Sequence, residues 1–226
     1  MTNSSRPELP EVARRLVGLR RDIVRMTYEA GCGHPGGSLS AIDMMALTFL
    51  RHLRLDPAKP KWEDRDRWVM SKGHASPALY AIMSHCGYFD HEELWTYRKF
   101  HSRLQGHPEP EFLPGVEIAT GSLGQGMAVA HGMALGARVQ ASPHRRVFCM
   151  VSDGHMQEGS TWEAICSAGN RGTSNLTVFF DHNNQQIDGD TPKIKNLDPV
   201  RPKLEAFHWH VEEVDGHDLQ AVDGAI

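Results

Sequence analysis

The chain is poor in the features that mark several common protein classes. It has 4 cysteines in 226 residues: Cys32, Cys86, Cys149 and Cys166, none of them in Cys-x-x-Cys spacing. Zinc ribbons and thioredoxin-like redox sites need that spacing, so both are disfavoured. Cys149 and Cys166 fall in a predicted buried strand and helix. The cysteines therefore read as apolar structural residues of a reducing compartment. No apolar run approaches the roughly 20 residues of a membrane span. The opening Met-Thr-Asn-Ser-Ser-Arg-Pro lacks the apolar core of a secretion signal. Both point to a cytoplasmic protein without a membrane partner. Basic residues are not in excess, with 24 Lys and Arg against 28 Asp and Glu and a net charge of −4. That balance argues against nucleic acid as a partner. An anionic ligand would then be neutralised locally, by a metal and backbone dipoles, not by a global positive field. Internal repeats and low-complexity tracts are absent too.

Hydrophobic content of 40% and charged content of 23% are ordinary for a globular protein. The length suits one domain over residues 1–226, large enough for a real core. Pro10 to Ala30 reads as an amphipathic helix, with Val12, Leu16, Leu19, Ile23 and Met26 at three-four spacing. A second helix is predicted from Ser40, with Asp43 as its capping acid. A short strand Trp68-Val69-Met70 leads to a helix from Ser76 to about Cys86. The irregular, His- and Pro-rich stretch from His101 to Gly115 is long enough to be functional or disordered. A glycine-rich helix is expected from about Ser122 to Val139. Its small residues suggest close packing against a strand, a helix or a bound group. Further on, a helix near Arg201 to Phe207 and a strand His210 to Val214 are expected. Strands alternating with helices, without hairpin signals, predict an α/β fold with a mainly parallel central sheet flanked by helices.

The middle of the chain is the most informative part. Arg146-Val147-Phe148-Cys149-Met150-Val151 runs into Ser152-Asp153-Gly154, and Leu176-Thr177-Val178-Phe179-Phe180 into Asp181-His182-Asn183-Asn184-Gln185. Glu158 to Gly169 between them has helical periodicity. A strand-helix-strand crossover would place both carboxyl ends at one edge of the sheet. There Asp153, Asn183 and backbone carbonyls could hold a hard cation, magnesium or calcium. Magnesium takes few protein oxygens and fills its octahedron with phosphate and water. Taken alone, Asp153 is better explained as a helix cap, and Asn183-Asn184 as a turn pair.

The surrounding residues change that balance. Glu158-Gly159, Glu163-Ala164, Ala168-Gly169 and Ile187-Asp188-Gly189 accompany the acid-Gly turn and the distant Asn. The segment resembles the thiamine-diphosphate signature of the transketolase family. Ser152 departs from it, because the family usually has Gly there; a Ser fits if the backbone angle is not positive. Gly33-His34-Pro35-Gly36-Gly37-Ser38, Ser71-Lys72-Gly73-His74-Ala75, Gly106-His107-Pro108-Glu109 and Gly121-Ser122-Leu123-Gly124-Gln125-Gly126 follow in the family's order. The chain is thus similar to the N-terminal, diphosphate-binding half of a transketolase, most of all to the small subunit of split bacterial and archaeal forms.

The resemblance implies a thiamine-diphosphate-binding fold, thiamine diphosphate as cofactor, and a divalent ion (Mg, or Ca or Mn) held by Asp153, Asn183 and the Gln185 carbonyl. Gly154 would offer its amide to the diphosphate, and Ile187 would pack near the cofactor ring. Gly121 and Leu123 would lie beside the pyrimidine. His34, His74 and His107 would contact the donor sugar in polar or acid/base roles, with His74 also touching the cofactor. An imidazole suits such work because its pKa lies near neutrality. Scattered histidines without Cys companions make zinc a weaker alternative. Glu158 is either a first-turn helix acid or part of a hydrogen-bond relay across a dimer.

The implied reaction moves a two-carbon ketol unit from a ketose, a sugar phosphate by default, to an aldehyde. The family's pyrimidine-binding domain has no match here, so a separate C-terminal transketolase-like subunit is expected, in a heterotetramer with two of each chain. After Asp215-Gly216-His217-Asp218 the family continues with a helix, a strand and a later active-site His-Gly segment, whereas this sequence stops at Ile226. Alternatives keep the cofactor but change the reaction, toward deoxysugar-phosphate synthesis, 2-oxo acid decarboxylation or a specialised biosynthetic transfer. A non-catalytic scaffold is the third reading.

Overall fold

The computed structural model describes residues 6–186 and 189–226. Ile187, expected near the cofactor ring, lies outside the described residues. The chain divides into two compact units. One takes the residues up to Asp66, Gly73–Gly121 and Val214–Ile226; the other takes Arg67–Lys72 and Ser122–Glu213.

The first unit is helical. Its helix α1 (Leu9–Ala30) buries Val12, Leu16, Leu19, Ile23 and Met26, the stripe that the spacing predicts. It stops at Gly31, whose φ of 64° suits a residue without Cβ and whose N–H reaches the Tyr28 carbonyl at 3.1 Å. Helix α2 (Pro35–Leu47) begins earlier than the expected Ser40. Pro35 fills the first turn, where a missing N–H costs nothing and a fixed φ is already helical. Asp43 is therefore not a cap. Buried in the middle of α2, it accepts hydrogen bonds from Arg20 (2.6 and 2.5 Å) and His217 Nδ1 (2.7 Å), tying α1 and the turn at residue 217 to α2. Helix α3 (Ser76–Cys86) has the expected bounds and is buried around nearly its whole circumference. The final helix, Leu219–Ala225, is capped by Asp218, which accepts from the Gln220 and Ala221 amides at 3.0 and 3.1 Å. Arg51 and His52 hold it through Asp223.

The second unit carries the sheet. Strands β1 (Arg67–Met70), β2 (Val147–Ser152) and β3 (Leu176–Asp181) are all parallel, in the order β1-β2-β3. Every residue of β2 is buried, and its Val, Phe and Met side chains each contribute about 1.5–3 kcal/mol by leaving water. The fold is α/β, as expected. Helix α4 (Gln125–Val139) packs on the sheet and helix α5 (Gly159–Asn170) packs on α4. α4 starts later than Ser122 because Gly124 holds φ at 89°. Its glycines divide in role. A Cβ on Gly126 would come within 2.8 Å of the Ser71 Cα, whereas nothing lies within 4 Å of Gly132 or Gly136. Close packing thus explains the first and not the others.

Two short strands, β4 (Gln185–Gln186) and β5 (Gly189–Asp190), form an unexpected antiparallel pair, followed by α6 (Thr191–Lys195) and α7 (Val200–Ala206). His210 to Val214 is no strand. His210, Glu212, Glu213 and Val214 are all exposed, leaving no apolar face to bury. Instead Trp209 Nε1 bonds the Ile165 carbonyl at 2.9 Å and Arg201 the Val211 carbonyl at 3.2 Å. Cys166 is exposed, against expectation, while Cys149 is buried; all four thiols are free.

Candidate functional site

In the second unit the Asp153 carboxylate meets the backbone of the Asn183–Asn184 turn at the strand tips. β2 and β3 pair from Val147↔Leu176 to Ser152↔Asp181, so Asp153 and His182 are the first residues past the last rung. Ser152 is extended and absent from the positive-φ positions, which is why a side chain is tolerated there. Asp153 is 0% exposed. Its Oδ2 accepts the Asn184 N–H at 3.0 Å. Its Oδ1 has no hydrogen-bond donor and lies 3.4 Å from His182 Nε2. Burial pushes this carboxyl above its usual range, against the pull of His182 and of the Asn184 N–H. Asn183 Oδ1 accepts the Gln185 N–H at 3.0 Å, and an amide oxygen keeps a second lone pair after that. Asn184 turns the chain with φ 59°.

An under-satisfied buried carboxylate oxygen, an amide oxygen with a spare lone pair and a neighbouring turn of backbone carbonyls make an all-oxygen donor set. Magnesium prefers such a set, so the residues fit the ion. Among the described residues no group of three His, Cys, Asp or Glu is placed to hold a metal. Leu123 covers Gly154, its Cδ1 being 3.0 Å from where a Cβ would stand. Glu158 is the exposed residue before the first turn of α5 and makes no side-chain cap bond. Gly124 fits against it, with the Glu158 Cβ 3.2 Å from the position of a Cβ.

Sequence reasoning missed what lies beneath these residues. Lys72, 0% exposed, forms an ion pair with the buried Asp181, which also receives Asn183 Nδ2 at 3.4 Å. The hint was available: a lysine two residues past an apolar strand, and an acid ending another. His155 was missed as well. Fully buried, it accepts the Ser152 N–H on Nδ1 at 3.3 Å. Burial pulls its pKa down to about 4; Lys72 acts in the same direction and the Ser71 backbone opposes it.

In the first unit the structure brings the three predicted histidines to one face. The His34 and His74 rings meet edge-on with centroids 5.3 Å apart. Gly121, at φ 152°, lets its backbone approach the His107 ring, where a Cβ would stand 3.0 Å from Cδ2. His34 Nδ1 is buried without a hydrogen-bond partner. Burial holds the pKa of both His34 and His107 below the usual value, and the charge of Arg98 adds to the effect. The His- and Pro-rich stretch is ordered by α3: Ser76 Oγ donates to the Gly106 carbonyl and Tyr80 Oη to the Gln105 carbonyl, each at 2.8 Å.

A buried carboxylate at parallel strand tips in one unit and a group of histidines in the other are set in an α/β fold. The chain matches the family model "Transketolase, thiamine diphosphate binding domain" over residues 12–226. It belongs to the transketolase family, as the thiamine-diphosphate-binding N-terminal domain. It is 41% identical over 196 residues to the 6-deoxy-6-sulfo-D-fructose transketolase subunit SqwG of Clostridium sp. (strain MSTE9), covering 87% of this chain and 71% of that one. With Transketolase-like protein 2 of Bos taurus it shares 40% over 214 residues, 95% of this chain and 34% of that protein. The solved transketolase of Campylobacter jejuni superposes with a TM-score of 0.90 at 35% identity, over 97% of this chain and 35% of that one. The chain therefore spans about a third of the length of these longer relatives. Among the described residues no helix is long and apolar enough to cross a membrane.

Proposed function

We propose that this chain is the cofactor-diphosphate subunit of a two-component, thiamine-diphosphate-dependent transketolase. It would transfer a two-carbon ketol unit from a ketose, a sugar phosphate by default, to an aldehyde. The observation that carries this reading is Asp153: a fully buried carboxylate with one oxygen lacking a donor, beside the Asn183–Asn184 turn. Burying such a group uncompensated is costly, and a bound cation supplies the missing partner.

Asp153, Asn183 and the Gln185 carbonyl hold magnesium, or calcium or manganese, in this assignment. The Gly154 amide receives the diphosphate. By resemblance to the family, Gly121, Leu123 and Ile187 are the residues assigned to the cofactor's rings. Thiamine diphosphate supplies the carbanion-stabilising chemistry of ketol transfer. His34, His74 and His107 orient donor hydroxyls and carry protons. A low pKa leaves His34 and His107 uncharged at neutral pH and so able to accept a proton. Glu158, exposed and uncommitted as a cap, serves a hydrogen-bond relay to a second chain.

A pyrimidine-binding partner completes the enzyme, in a heterotetramer with two of each chain in the cytoplasm. The two-chain reading draws on SqwG, a relative that is itself a subunit. The test is reconstitution with a pyrimidine-domain partner and a panel of ketoses and 2-oxo acids as donors. Ketose-dependent turnover requiring both chains and a divalent ion is expected. Turnover with 2-oxo acids alone would move the chain to a decarboxylating reaction, and none with any donor to a scaffold role.

A further inference from the structure

One buried titratable side chain has no part in the proposed chemistry. His155 follows directly on the Asp153-Gly154 turn, is completely buried, and points back at the strand it has just left. β1 pairs with β2 only as far as Met70↔Met150, with one further bond from the Lys72 N–H to the Met150 carbonyl at 3.2 Å. A regular parallel ladder would next engage the Ser152 N–H. Here the acceptor for that N–H is the His155 imidazole, at 3.3 Å, and the Ser152 hydroxyl lies 3.2 Å from the same Nδ1. A backbone N–H can only donate. Nδ1 is therefore the acceptor, and the ring proton of the neutral imidazole sits on Nε2.

The ring closes a tight loop. Ser152, Asp153, Gly154 and His155 are consecutive, and the bond from Ser152 to His155 spans the two residues assigned to metal and diphosphate. Backbone bonds continue the turn: Met156 N–H to the Asp153 carbonyl at 3.1 Å, Gln157 N–H to Gly154 at 3.3 Å and Glu158 N–H to His155 at 3.0 Å. The imidazole is the one side-chain member of this series, and it fixes the turn at the strand end. Ser152, where the resemblance leads one to expect Gly, faces the same nitrogen.

We infer that His155 is a positioning residue: its imidazole serves as the last rung beyond β2 and holds the Asp153-Gly154 turn in the conformation that presents the carboxylate and the amide. Metal sites depend on such supporting partners, whose removal typically weakens affinity about 10- to 100-fold. The inference rests on the metal and diphosphate roles proposed for Asp153 and Gly154.

The test starts with the unaltered, ¹⁵N-labelled chain. Long-range proton–nitrogen spectra are expected to show His155 with Nδ1 unprotonated and hydrogen-bonded, and the Ser152 amide protected from exchange. In His155→Leu, exchange at Ser152 is expected to speed up at least about 10-fold, and magnesium-dependent thiamine diphosphate binding by the chain with its partner to weaken about 10- to 100-fold. His155→Asn, which keeps an acceptor at the Nδ1 position, should restore both to within about threefold. His155→Gln, with its acceptor displaced, replaces the Leu variant if that one fails to fold. A ring proton on Nδ1, wild-type exchange and affinity in Leu, or an Asn variant as impaired as Leu would each overturn the inference. A wild-type chain that shows the ring signature but binds no cofactor with magnesium instead overturns the proposed function.

Discussion

The two units handle polar groups in opposite ways. In the first, the functional candidates are imidazoles, and burial together with the Arg98 guanidinium drives His34 and His107 toward their neutral form. In the second, the candidate is a carboxylate that burial also disfavours as an ion, held by the backbone N–H groups of Asn184 and Asn183 and by His182 Nε2 at 3.4 Å, while its Oδ1 is left without a hydrogen-bond donor. A lowered pKa keeps these imidazoles uncharged, whereas a buried carboxylate short of a donor is left wanting a cation or a proton. The same force, desolvation, lowers the pKa in one region and raises it in the other, because the groups it acts on carry opposite charges when ionised; the proposed proton handling and metal binding rest on that difference.

The largest effect that tests this contrast is expected from Asp153→Ala. Magnesium-dependent thiamine diphosphate binding by the reconstituted enzyme should fall by at least about 100-fold in titration calorimetry. Retained affinity would take Asp153 out of the metal site. His107→Ala should separate the units: turnover drops about 100-fold, while cofactor affinity stays within about threefold. Equal losses in both quantities would erase the division of labour.

The third prediction concerns acid. His155 titrates near pH 4 when folded and near 6.5 when unfolded. Between those values the unfolded chain binds the extra proton. The group's contribution is complete above pH 6.5 and is lost as the pH falls toward 4, up to about 3 kcal/mol. Denaturant melts from pH 7 to 4 should show this loss in the wild type and less of it in His155→Asn. Asp223→Ala, which removes the carboxylate shared by Arg51 and His52 in the first unit, should cost about 2 kcal/mol. Glu11→Gln, on the solvent side of α1, should leave the denaturant midpoint nearly unchanged, since surface pairs such as Arg14–Glu11 are weak.

Much of this was readable from the chain itself. Strong periodicity located α1, and unbroken apolar runs located β2 and β3, because each pattern has one way to bury its side chains. The position of Asp153 and Asn183 just past the strand ends was readable because each follows such a run. Other features depend on partners distant in sequence. The start of α2 was misjudged because Gly-His-Pro looks like a turn until Pro35 is seen as a first-turn residue. Asp43 looked like a cap because its true partners, Arg20 and His217, lie far away along the chain. The Lys72–Asp181 pair joins residues separated by two crossovers. His155 escaped notice because a backbone N–H lacking its strand partner leaves no mark in sequence. The strand expected at His210 failed for want of an apolar face, which its own charges already announced.

The thiols turn the division into units into a practical handle. Cys86 and Cys149 are buried, and burial pushes the first thiol up to about 12 and the second higher still, so neither forms thiolate readily. Cys32 and Cys166 are exposed, one in each unit. Maleimide chemistry should therefore tag the unmodified protein at two addresses, one beside the histidines and one on α5. An environment-sensitive dye at either address would report on its own unit as cofactor, metal and partner are added.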